Sequence, residues 1–362
     1  MTSNHRDVDK DTSLHVMDGI QRSHDGLRRT KRRKFVKKQT DFSLDTIYEK
    51  LIQGSRIDLA KAITLIESLN AEDQQNAQQL LKKALSHTGN SVRIGVSGVP
   101  GSGKSTFIET FGHMLCELGF KVAVLAIDPS SSVTGGSVLG DKTRMEQLSS
   151  HPNAFIRPSP TSGTLGGVHR KTRETMLLCE AAGYDIILIE TVGVGQSETA
   201  VRNMVDFFIL LALTGAGDDL QGMKKGIMEI TDLIIVHKAD GENLRLAKRT
   251  VRKYKQILHF LKPATPGWEA TSLAVSSYQK TGHAEVWELV QSFKDKMIAS
   301  DYWEERRQSQ TKNWFHDMIH DRLIEDFFSN QSKSEQVNVL ETNILKGKVT
   351  ITEAIDQLFN PK

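Results

Sequence analysis

A glycine-rich segment near residue 100 has the residue types and spacing that bind phosphate. It fits the pattern G-x-x-x-x-G-K-[ST], with Lys104 and Ser105 at the last two positions. Glycines let the backbone wrap a phosphate group, and the N–H groups at the start of a helix favour an anion. In such a loop the lysine bridges the β- and γ-phosphates of a nucleotide, and the hydroxyl binds Mg²⁺. The sequence therefore predicts a nucleotide-binding loop made of Gly98, Val99, Pro100, Gly101, Ser102, Gly103, Lys104, Ser105 and Thr106.

Acidic residues end two of the apolar runs that are predicted to form strands. Asp128 follows Val122–Ile127, and Glu190 follows Ile186–Ile189. An acid in this position is often a turn former or a helix cap. In a phosphate-binding sheet, however, Mg²⁺ and the attacking water lie at this edge, and a hard cation prefers oxygen ligands. We therefore predict that Asp128 and Glu190 are metal-binding and catalytic residues.

Two further segments resemble loops that contact a γ-phosphate. The Gly- and Ser-rich stretch 130–144 ends in Asp141-Lys142-Thr143-Arg144. A switch that closes on the phosphate would direct Asp141 toward the metal and Arg144 toward developing charge, while a simple connecting loop fits the spacing equally well. Glu190-Thr191-Val192-Gly193 resembles the D-x-x-G element of GTPases, in which the N–H of Gly193 would donate to the γ-phosphate.

The predicted base-reading element is His237-Lys238-Ala239-Asp240, which resembles N-K-x-D. The carboxylate of Asp240 can accept hydrogen bonds from N1–H and N2 of guanine, which adenine cannot donate, and a wrong base would leave it unpaired. Lys238 would stack on the ring. His237 stands where Asn usually ties this loop to the phosphate loop, and its imidazole could donate one hydrogen bond instead. Ser276-Ser277-Tyr278 follows the last predicted strand, at the position of the GTPase loop whose backbone contacts the guanine oxygen. Ser277 stands where Ala is usual.

The elements that must position these residues alternate along the chain. Short β-rich runs and helical stretches follow one another between Ser91 and Val275, which is typical of parallel strands joined by right-handed crossovers. The predicted fold class is α/β: a three-layer P-loop NTPase with a mostly parallel sheet and helical N- and C-terminal extensions. The expected strands are Val92–Val96, Val122–Ile127, Ala154–Ile156, Ile186–Glu190, Phe207–Leu213, Leu233–His237 and Leu273–Val275.

Four segments are expected from the changes in pattern. Residues 1–40 form a basic leader, interpreted as solvated and flexible, with contact to nucleic acid or an acidic surface as the alternative. Residues 41–90 form two or three amphipathic helices, and residues 91–282 form the nucleotide-binding domain. Residues 283–362 are helical, with predicted helices over Glu285–Met297, Tyr302–Phe328 and Val337–Phe359. The apolar stripe of this region fits either a docking face or intramolecular packing.

The composition excludes several classes of protein. The 362 residues carry a net charge of +3, too balanced to indicate nucleic-acid binding by the whole molecule. Two cysteines are too few for a disulfide scaffold or a zinc cluster. The apolar run Phe207–Leu213 is far shorter than the roughly 20 residues of a membrane span, and residues 1–18 lack the apolar stretch of a signal peptide. We expect a cytoplasmic protein that binds neither nucleic acid nor a membrane.

The motifs together resemble one family, the MeaB/ArgK-type GTPases that act as chaperones of adenosylcobalamin-dependent acyl-CoA mutases, chiefly methylmalonyl-CoA mutase. The resemblance covers roughly residues 42–321. It is carried by these segments: Asp128-Pro129-Ser130-Ser131, Thr134-Gly135-Gly136-Ser137, Gly140-Asp141-Lys142-Thr143-Arg144-Met145, Gly163-Thr164-Leu165-Gly166-Gly167-Val168, Ala181-Ala182-Gly183-Tyr184-Asp185 and Glu190-Thr191-Val192-Gly193-Val194-Gly195-Gln196-Ser197-Glu198.

The resemblance implies a site, a reaction and partners. Ser105, Asp128, Asp141 and Glu190 would surround Mg²⁺ and its waters. The glycine-rich stretch after Leu213 would be a switch that relays nucleotide state to the mutase, through Asp218, Gln221 and Lys224. The expected reaction is slow, Mg²⁺-dependent hydrolysis of GTP to GDP. Cobalamin would belong to the mutase rather than to this chain. Family members are homodimers paired through a C-terminal helical arm.

Two other functions remain open from the residues. A P-loop also serves phosphoryl transfer, so a small-molecule kinase that uses ATP is the main alternative. A non-hydrolytic adaptor that binds nucleotide as a structural ligand is the second.

Overall fold

The computed structural model describes residues 43–128, 145–160, 165–191, 197–214 and 225–360. Seven strands form one sheet in the order β3-β2-β4-β1-β5-β6-β7, and every neighbouring pair is parallel. The predicted α/β class and sheet are confirmed. The strands are β1 Val92–Gly98, β2 Val122–Asp128, β3 Ala154–Pro160, β4 Ile186–Thr191, β5 Phe207–Ala212, β6 Leu233–Val236 and β7 Thr271–Ala274.

Helices precede, connect and follow the strands. Three of them come before β1, which agrees with the two or three predicted there. In chain order the helices are α1 Leu44–Ile52, α2 Arg56–Glu67, α3 Ala71–Ala84, α4 Lys104–Glu117, α5 Glu146–Ser150, α6 Leu165–Ala181, α7 Ser197–Arg202, α8 Lys225–Glu229, α9 Asn243–Phe260, α10 His283–Ala299, α11 Tyr302–Ser329, α12 Gln331–Leu345 and α13 Ile351–Phe359.

Helices cover both faces of the sheet and make three layers. One apolar core joins the sheet to α1–α3, α6 and α9, and the other joins it to α4, α5 and α10. Phe207 and Phe208, neighbours on β5, are both fully buried but belong to opposite cores. Because both faces of each central strand are covered, the strands are continuous apolar runs rather than alternating patterns.

The end of the chain is built from two helices where one was predicted. The expected single helix over Val337–Phe359 is wrong, because α12 ends at Leu345 and α13 begins at Ile351. Gly347 takes a left-handed φ of 66°, which terminates α12. The hydroxyl of Thr350 then accepts the N–H of Glu353 at 3.2 Å and caps α13.

The long helix α11 is attached to the amino ends of the strands by buried polar contacts. The guanidinium of Arg307 donates to both carboxylate oxygens of Asp206, at 2.9 and 2.7 Å, and to the carbonyl of Ser91 at 2.6 Å. The amide of Gln310 donates to the carbonyl of Val205 at 2.8 Å. These contacts fix the first turns of α11 at the edge opposite the phosphate loop.

Among the residues that the structure describes, no helix combines the length and apolar character needed to span a membrane.

Candidate functional site

The glycine-rich segment forms the turn between β1 and α4, as predicted. β1 ends at Gly98 and α4 begins at Lys104. Gly101 and Gly103 have left-handed φ values of 79° and 89°, a conformation that favours glycine. Gly103 occupies the N-cap position of α4 and supplies no capping side chain, so the first N–H groups of the helix face the loop. The turn therefore has the backbone geometry of an anion cradle.

Lys104 lies over this turn. Its Nζ donates to the carbonyl of Gly98 at 2.8 Å and to that of Val99 at 3.4 Å. Burial lowers the pKa of Lys104, while the nearby Glu190 and Glu198 carboxylates act in the opposite direction. The ammonium group is thus held at the mouth of the cradle.

A hydroxyl and a carboxylate meet beside the loop. The hydroxyl of Ser105 donates to Oε1 of Glu190 at 3.0 Å, and Glu190 is buried. The pairing follows from the sheet, because β1 lies beside β4 with Val96 opposite Glu190. One residue further on, the hydroxyl of Thr191 donates to Oγ of Ser97 at 2.9 Å, a buried contact that sequence reasoning missed.

The donor set at this edge fits Mg²⁺. Ser105 and Glu190 offer hard oxygen atoms, and β2, which ends at Asp128, is the other neighbour of β4. Within the described ranges, no group of three or more His, Cys, Asp or Glu could hold a metal ion by itself. Mg²⁺ is commonly bound by one or two carboxylates together with phosphate oxygens and water, so one protein carboxylate beside a phosphate loop suits it.

The base-reading loop follows β6 and is bonded directly to the phosphate loop. Nδ1 of the buried His237 lies 2.8 Å from the carbonyl oxygen of Ser102. The carboxylate of Asp240 accepts the hydroxyl of Ser276 at 2.6 Å, which joins the loop to the segment after β7. The N–H of Ala239 donates to the carbonyl of Val275 at 3.1 Å. The structure therefore brings His237, Asp240 and Ser276 together.

The other predicted residues of this region differ in exposure. Lys238 is exposed and has a left-handed φ of 58°. Tyr278 is 90% exposed, whereas Ser277 is buried. A cleft of about 640 Å³ runs between α4 and the loop after β7, and its lining includes Thr106, Tyr278 and His283. Its volume lies within the range of small-molecule sites.

His283, at the start of α10, is part of this site and was not predicted from the sequence. Its Nε2 lies 3.2 Å from Oγ of Ser277, which in turn lies 2.8 Å from Nε2 of His237. The ring of Phe107 on α4 stacks on His283 with 5.5 Å between ring centroids and meets His237 edge-on at 6.2 Å. No motif marks His283, and its contact with Phe107 depends on how α10 packs on α4.

Several predicted residues fall outside the described part of the chain. Asp141, Arg144 and Gly193 do so, as do Asp218, Gln221 and Lys224 of the expected switch, and the side chain of Asp128 is also outside it. Their predicted roles stay predictions.

The parallel sheet, the glycine-rich turn that leads into α4, and the hydroxyl–carboxylate pair beside it define a P-loop nucleotide-binding protein. The chain belongs to the family described as Methylmalonyl Co-A mutase-associated GTPase MeaB, whose family model matches residues 59–332. The suspected family is therefore confirmed.

Individual relatives agree with this assignment. The chain is 48% identical to the GTPase ArgK of Escherichia coli strain K12 over 282 residues, which are 78% of this chain and 85% of that protein. It is 45% identical to the mitochondrial methylmalonic aciduria type A homolog of Mus musculus over 326 residues, 87% of this chain and 79% of the relative. A crystal structure described as an LAO/AO transport system kinase superposes with a TM-score of 0.72 at 37% identity, covering 87% of this chain and 96% of that one.

Proposed function

We propose that this chain binds guanine nucleotide and hydrolyses GTP to GDP and phosphate. The contact that carries the proposal is the hydrogen bond between His237 and the Ser102 carbonyl, 2.8 Å long. It couples the loop that would read the base to the loop that would hold the phosphates, so Asp240 and Lys104 act on opposite ends of one ligand. Relatives such as ArgK, at 48% identity, are named GTPases, which supports the same activity here.

Each residue has a distinct role in this proposal. Lys104 binds the β- and γ-phosphates, and Asp240 accepts the guanine N1–H and N2 hydrogens. Ser105, Glu190, Asp128 and Asp141 would hold Mg²⁺, which would neutralise charge on the phosphates. The N–H of Gly193 contacts the γ-phosphate, and Arg144 stabilises the charge that develops on it. Intrinsic hydrolysis is expected to be slow, as in P-loop switches whose site a partner completes.

The first test compares GTP and ATP affinities in the same titration. Tighter binding of GTP, lost in Asp240→Ala while ATP binding is unchanged, supports the proposed base recognition. A clear preference for ATP instead supports a small-molecule kinase, the alternative that the kinase description of the 37% identical structure keeps relevant. Phosphate release no faster than that of Lys104→Ala would leave only a non-hydrolytic adaptor.

We further propose that the client is an adenosylcobalamin-dependent acyl-CoA mutase, with methylmalonyl-CoA mutase as the first candidate. The family description and the name of the 45% identical mouse relative both point to methylmalonyl metabolism. The nucleotide state would reach the mutase through the loop that contains Asp218, Gln221 and Lys224, because loops held by a γ-phosphate change their contacts when it leaves. Cobalamin stays on the mutase.

Co-purification tests the client. The tagged full-length chain is used as bait with GDP and with a non-hydrolysable GTP analogue, and captured proteins are identified by mass spectrometry. Recovery of an acyl-CoA mutase in an amount that depends on the nucleotide supports the proposal. Recovery of no mutase in either state would remove the chaperone role and leave the GTPase.

A homodimer is the proposed assembly, with residues 283–362 as its arm. Apolar side chains of α11 and α13 are exposed in one subunit, including Phe315 at 64%, Leu323 at 62% and Phe359 at 60%. Clustered exposure of this kind is typical of a surface that another protein covers. Trp314 is partly buried and stacks with Arg173, which fits packing within the chain. Phe315 and Leu323 are exposed, which supports a docking face.

A further inference from the structure

The two departures from the usual base-reading sequence contact each other. His237 stands where Asn is usual and Ser277 where Ala is usual, 40 residues apart in the chain. In the structure Nε2 of His237 lies 2.8 Å from Oγ of Ser277, and both side chains are buried. At position 277 a hydroxyl stands where a methyl group is usual, within hydrogen-bond distance of the imidazole that stands where Asn is usual.

The hydrogen bonds of this cluster fix the proton positions. The Ser102 carbonyl can only accept, so this hydrogen bond forms only in the tautomer in which Nδ1 of His237 carries the proton. In a neutral imidazole Nε2 then has a lone pair, and the single hydroxyl proton of Ser277 is donated to it. Oγ of Ser277 is left to accept a proton from Nε2 of His283, 3.2 Å away. One arrangement of protons therefore satisfies all three contacts: His283 donates to Ser277, Ser277 donates to His237, and His237 donates to the Ser102 carbonyl.

Two observations agree with this order. If Nε2 of His283 carries the proton, its Nδ1 has only a lone pair, and Nδ1 is a buried atom without a hydrogen-bond partner among the described residues. Burial also lowers the pKa of His237, and it lowers that of His283 to about 4, so both rings are neutral near pH 7.

The rings have little room for another arrangement. The ring of Phe107 stacks on His283 and touches His237 edge-on. A Cβ atom placed on Gly103 would lie 2.5 Å from Nδ1 of His237. His237 is thus enclosed between α4 and the phosphate loop, and the tautomer decides whether Nδ1 attracts or repels the Ser102 carbonyl.

We propose that Ser277 and His283 are positioning residues for guanine-nucleotide binding, which hold His237 as the Nδ1–H tautomer so that it can bind the base-reading loop to the phosphate loop. This rests on the proposed guanine-nucleotide function. We call the hydrogen bonds from His283 through Ser277 to His237 the relay. Asn at position 237 would donate its amide proton without the relay, and Ala at position 277 would then be sufficient.

A double-mutant cycle tests the proposal with fluorescently labelled GDP as the probe and the full-length chain. We expect Ser277→Ala to weaken GDP binding about two- to tenfold in the wild-type background, the range of one lost hydrogen bond. In the His237→Asn background the same change should alter GDP affinity by less than about twofold, because the imidazole that Ser277 orients is absent. Equal losses in both backgrounds would overturn the relay.

Variants of His283 provide the matched control. His283→Gln keeps an N–H near the position of Nε2 and should preserve affinity. His283→Phe keeps a ring against Phe107 but has no donor, and should weaken GDP binding in the same direction as Ser277→Ala. If the Gln and Phe variants bind GDP equally, His283 acts only by packing and has no positioning role.

Nitrogen-15 NMR of the histidine rings without nucleotide separates this proposal from the proposed function. The expected spectrum shows the Nδ1–H tautomer for His237, shifting toward Nε2–H in Ser277→Ala. A wild-type His237 in the Nε2–H form would overturn the relay even if GDP binds. Absence of GDP binding by a wild type with the Nδ1–H tautomer would instead reject the guanine-nucleotide function, and with it the positioning role.

Discussion

Lys104 combines a partly buried position with two backbone acceptors. Its ammonium donates to the carbonyls of Gly98 and Val99, and burial lowers its pKa. Glu190 and Glu198 offset that shift and favour the charged form. A cation held beside the phosphate loop can stabilise charge that develops on a phosphate, which is the property that makes such donors effective in catalysis.

Lys104→Ala is therefore expected to reduce GTP hydrolysis about 10²- to 10³-fold, the usual effect of removing one preorganised donor. Phosphate release under saturating GTP measures it. Lys253→Ala, the same change at an exposed residue of α9, is the control and should hydrolyse GTP at the wild-type rate. A rate for Lys104→Ala within about threefold of this control contradicts the assigned role.

His283 makes stability depend on pH. Its pKa is about 4 in the folded chain because burial disfavours the charged ring and His237 adds to the effect, whereas the ordinary value is 6.5. Below pH 6.5 the unfolded chain binds a proton that the folded chain does not, so stability is complete above this pH and falls toward pH 4. Between about pH 7.5 and 5 the loss from this residue is up to about 2 kcal/mol.

Urea unfolding of wild type and His283→Phe at both pH values measures this effect. The free energy of unfolding of the variant should fall less than that of the wild type over the same interval, since Phe cannot take up a proton. Carboxylates that titrate in this interval act on both proteins and cancel in the comparison. Parallel pH profiles would show that His283 is not held neutral by the fold.

At the scale of elements, the phosphate loop and the base-reading loop approach each other at Gly103. This residue has a φ of 89°, and a Cβ there would lie 2.5 Å from Nδ1 of His237. Gly103→Ala should therefore add a steric conflict to the cost of about 1–2 kcal/mol that a side chain has in the left-handed conformation.

Gly119 separates these two costs. Its φ is 94°, and a Cβ there meets nothing within 4 Å. Gly119→Ala should lower the free energy of unfolding by the conformational cost alone and leave GDP affinity unchanged. Gly103→Ala should lower stability further and weaken GDP binding at least about tenfold, since its Cβ displaces the ring that joins the loops. Similar GDP affinities for both variants would contradict the close approach.

One of the contacts that attach α11 to the sheet is a buried ion pair. Arg307 and Asp206 are both more than nine-tenths buried, and the pair strengthens the charged form of each: the pKa of Asp206 is lowered and that of Arg307 raised. Removal of Arg307 leaves Asp206 buried without its ion-pair partner, with the backbone N–H of Arg93 still bonded to it, and breaking a buried pair typically costs 3–5 kcal/mol. Arg307→Met is expected to lower the free energy of unfolding by about this amount.

The same helix carries an exposed pair for comparison. Arg322 and Asp326 form an i,i+4 ion pair of 3.1 Å with both side chains in solvent. Arg322→Met should cost less than about 1 kcal/mol, because exposed pairs are screened and lose side-chain entropy. Chemical denaturation of both variants decides the point, and comparable losses would mean that burial does not set the strength of the Arg307 contact.

At the scale of the whole molecule, the exposed apolar side chains of α11 and α13 predict the oligomeric state. Leu323 is 62% exposed in the proposed arm, and Leu118, at the end of α4, is 58% exposed outside it. Sedimentation of the wild type should give a dimer, which Leu323→Asp converts to a monomer and Leu118→Asp leaves intact. A wild-type monomer, or a dimer that survives Leu323→Asp but not Leu118→Asp, would place the interface elsewhere or remove it.

Local sequence was sufficient for the sheet, for the phosphate loop and for the family. Strands buried on both faces are apolar throughout, so runs such as Val92–Val96 and Ile186–Ile189 can be recognised as strands from the sequence. The loop from Gly98 to Ser105 is defined by backbone conformations that glycine permits and by a lysine at a fixed distance along the chain. Such features depend only on residues that are neighbours in the chain, so a short stretch of sequence is enough to predict them.

Tertiary structure alone decided which distant side chains meet. The register of β1 against β4 brings Ser105 to Glu190 across 85 residues, and the packing of α10 on α4 brings His283 to Phe107. The sequence likewise did not determine what covers the apolar side chains of the C-terminal helices. Helical periodicity is the same whether a partner or the chain itself covers the apolar face. Periodicity reports which face of an element is apolar, whereas the partner of that face depends on how the elements pack in three dimensions.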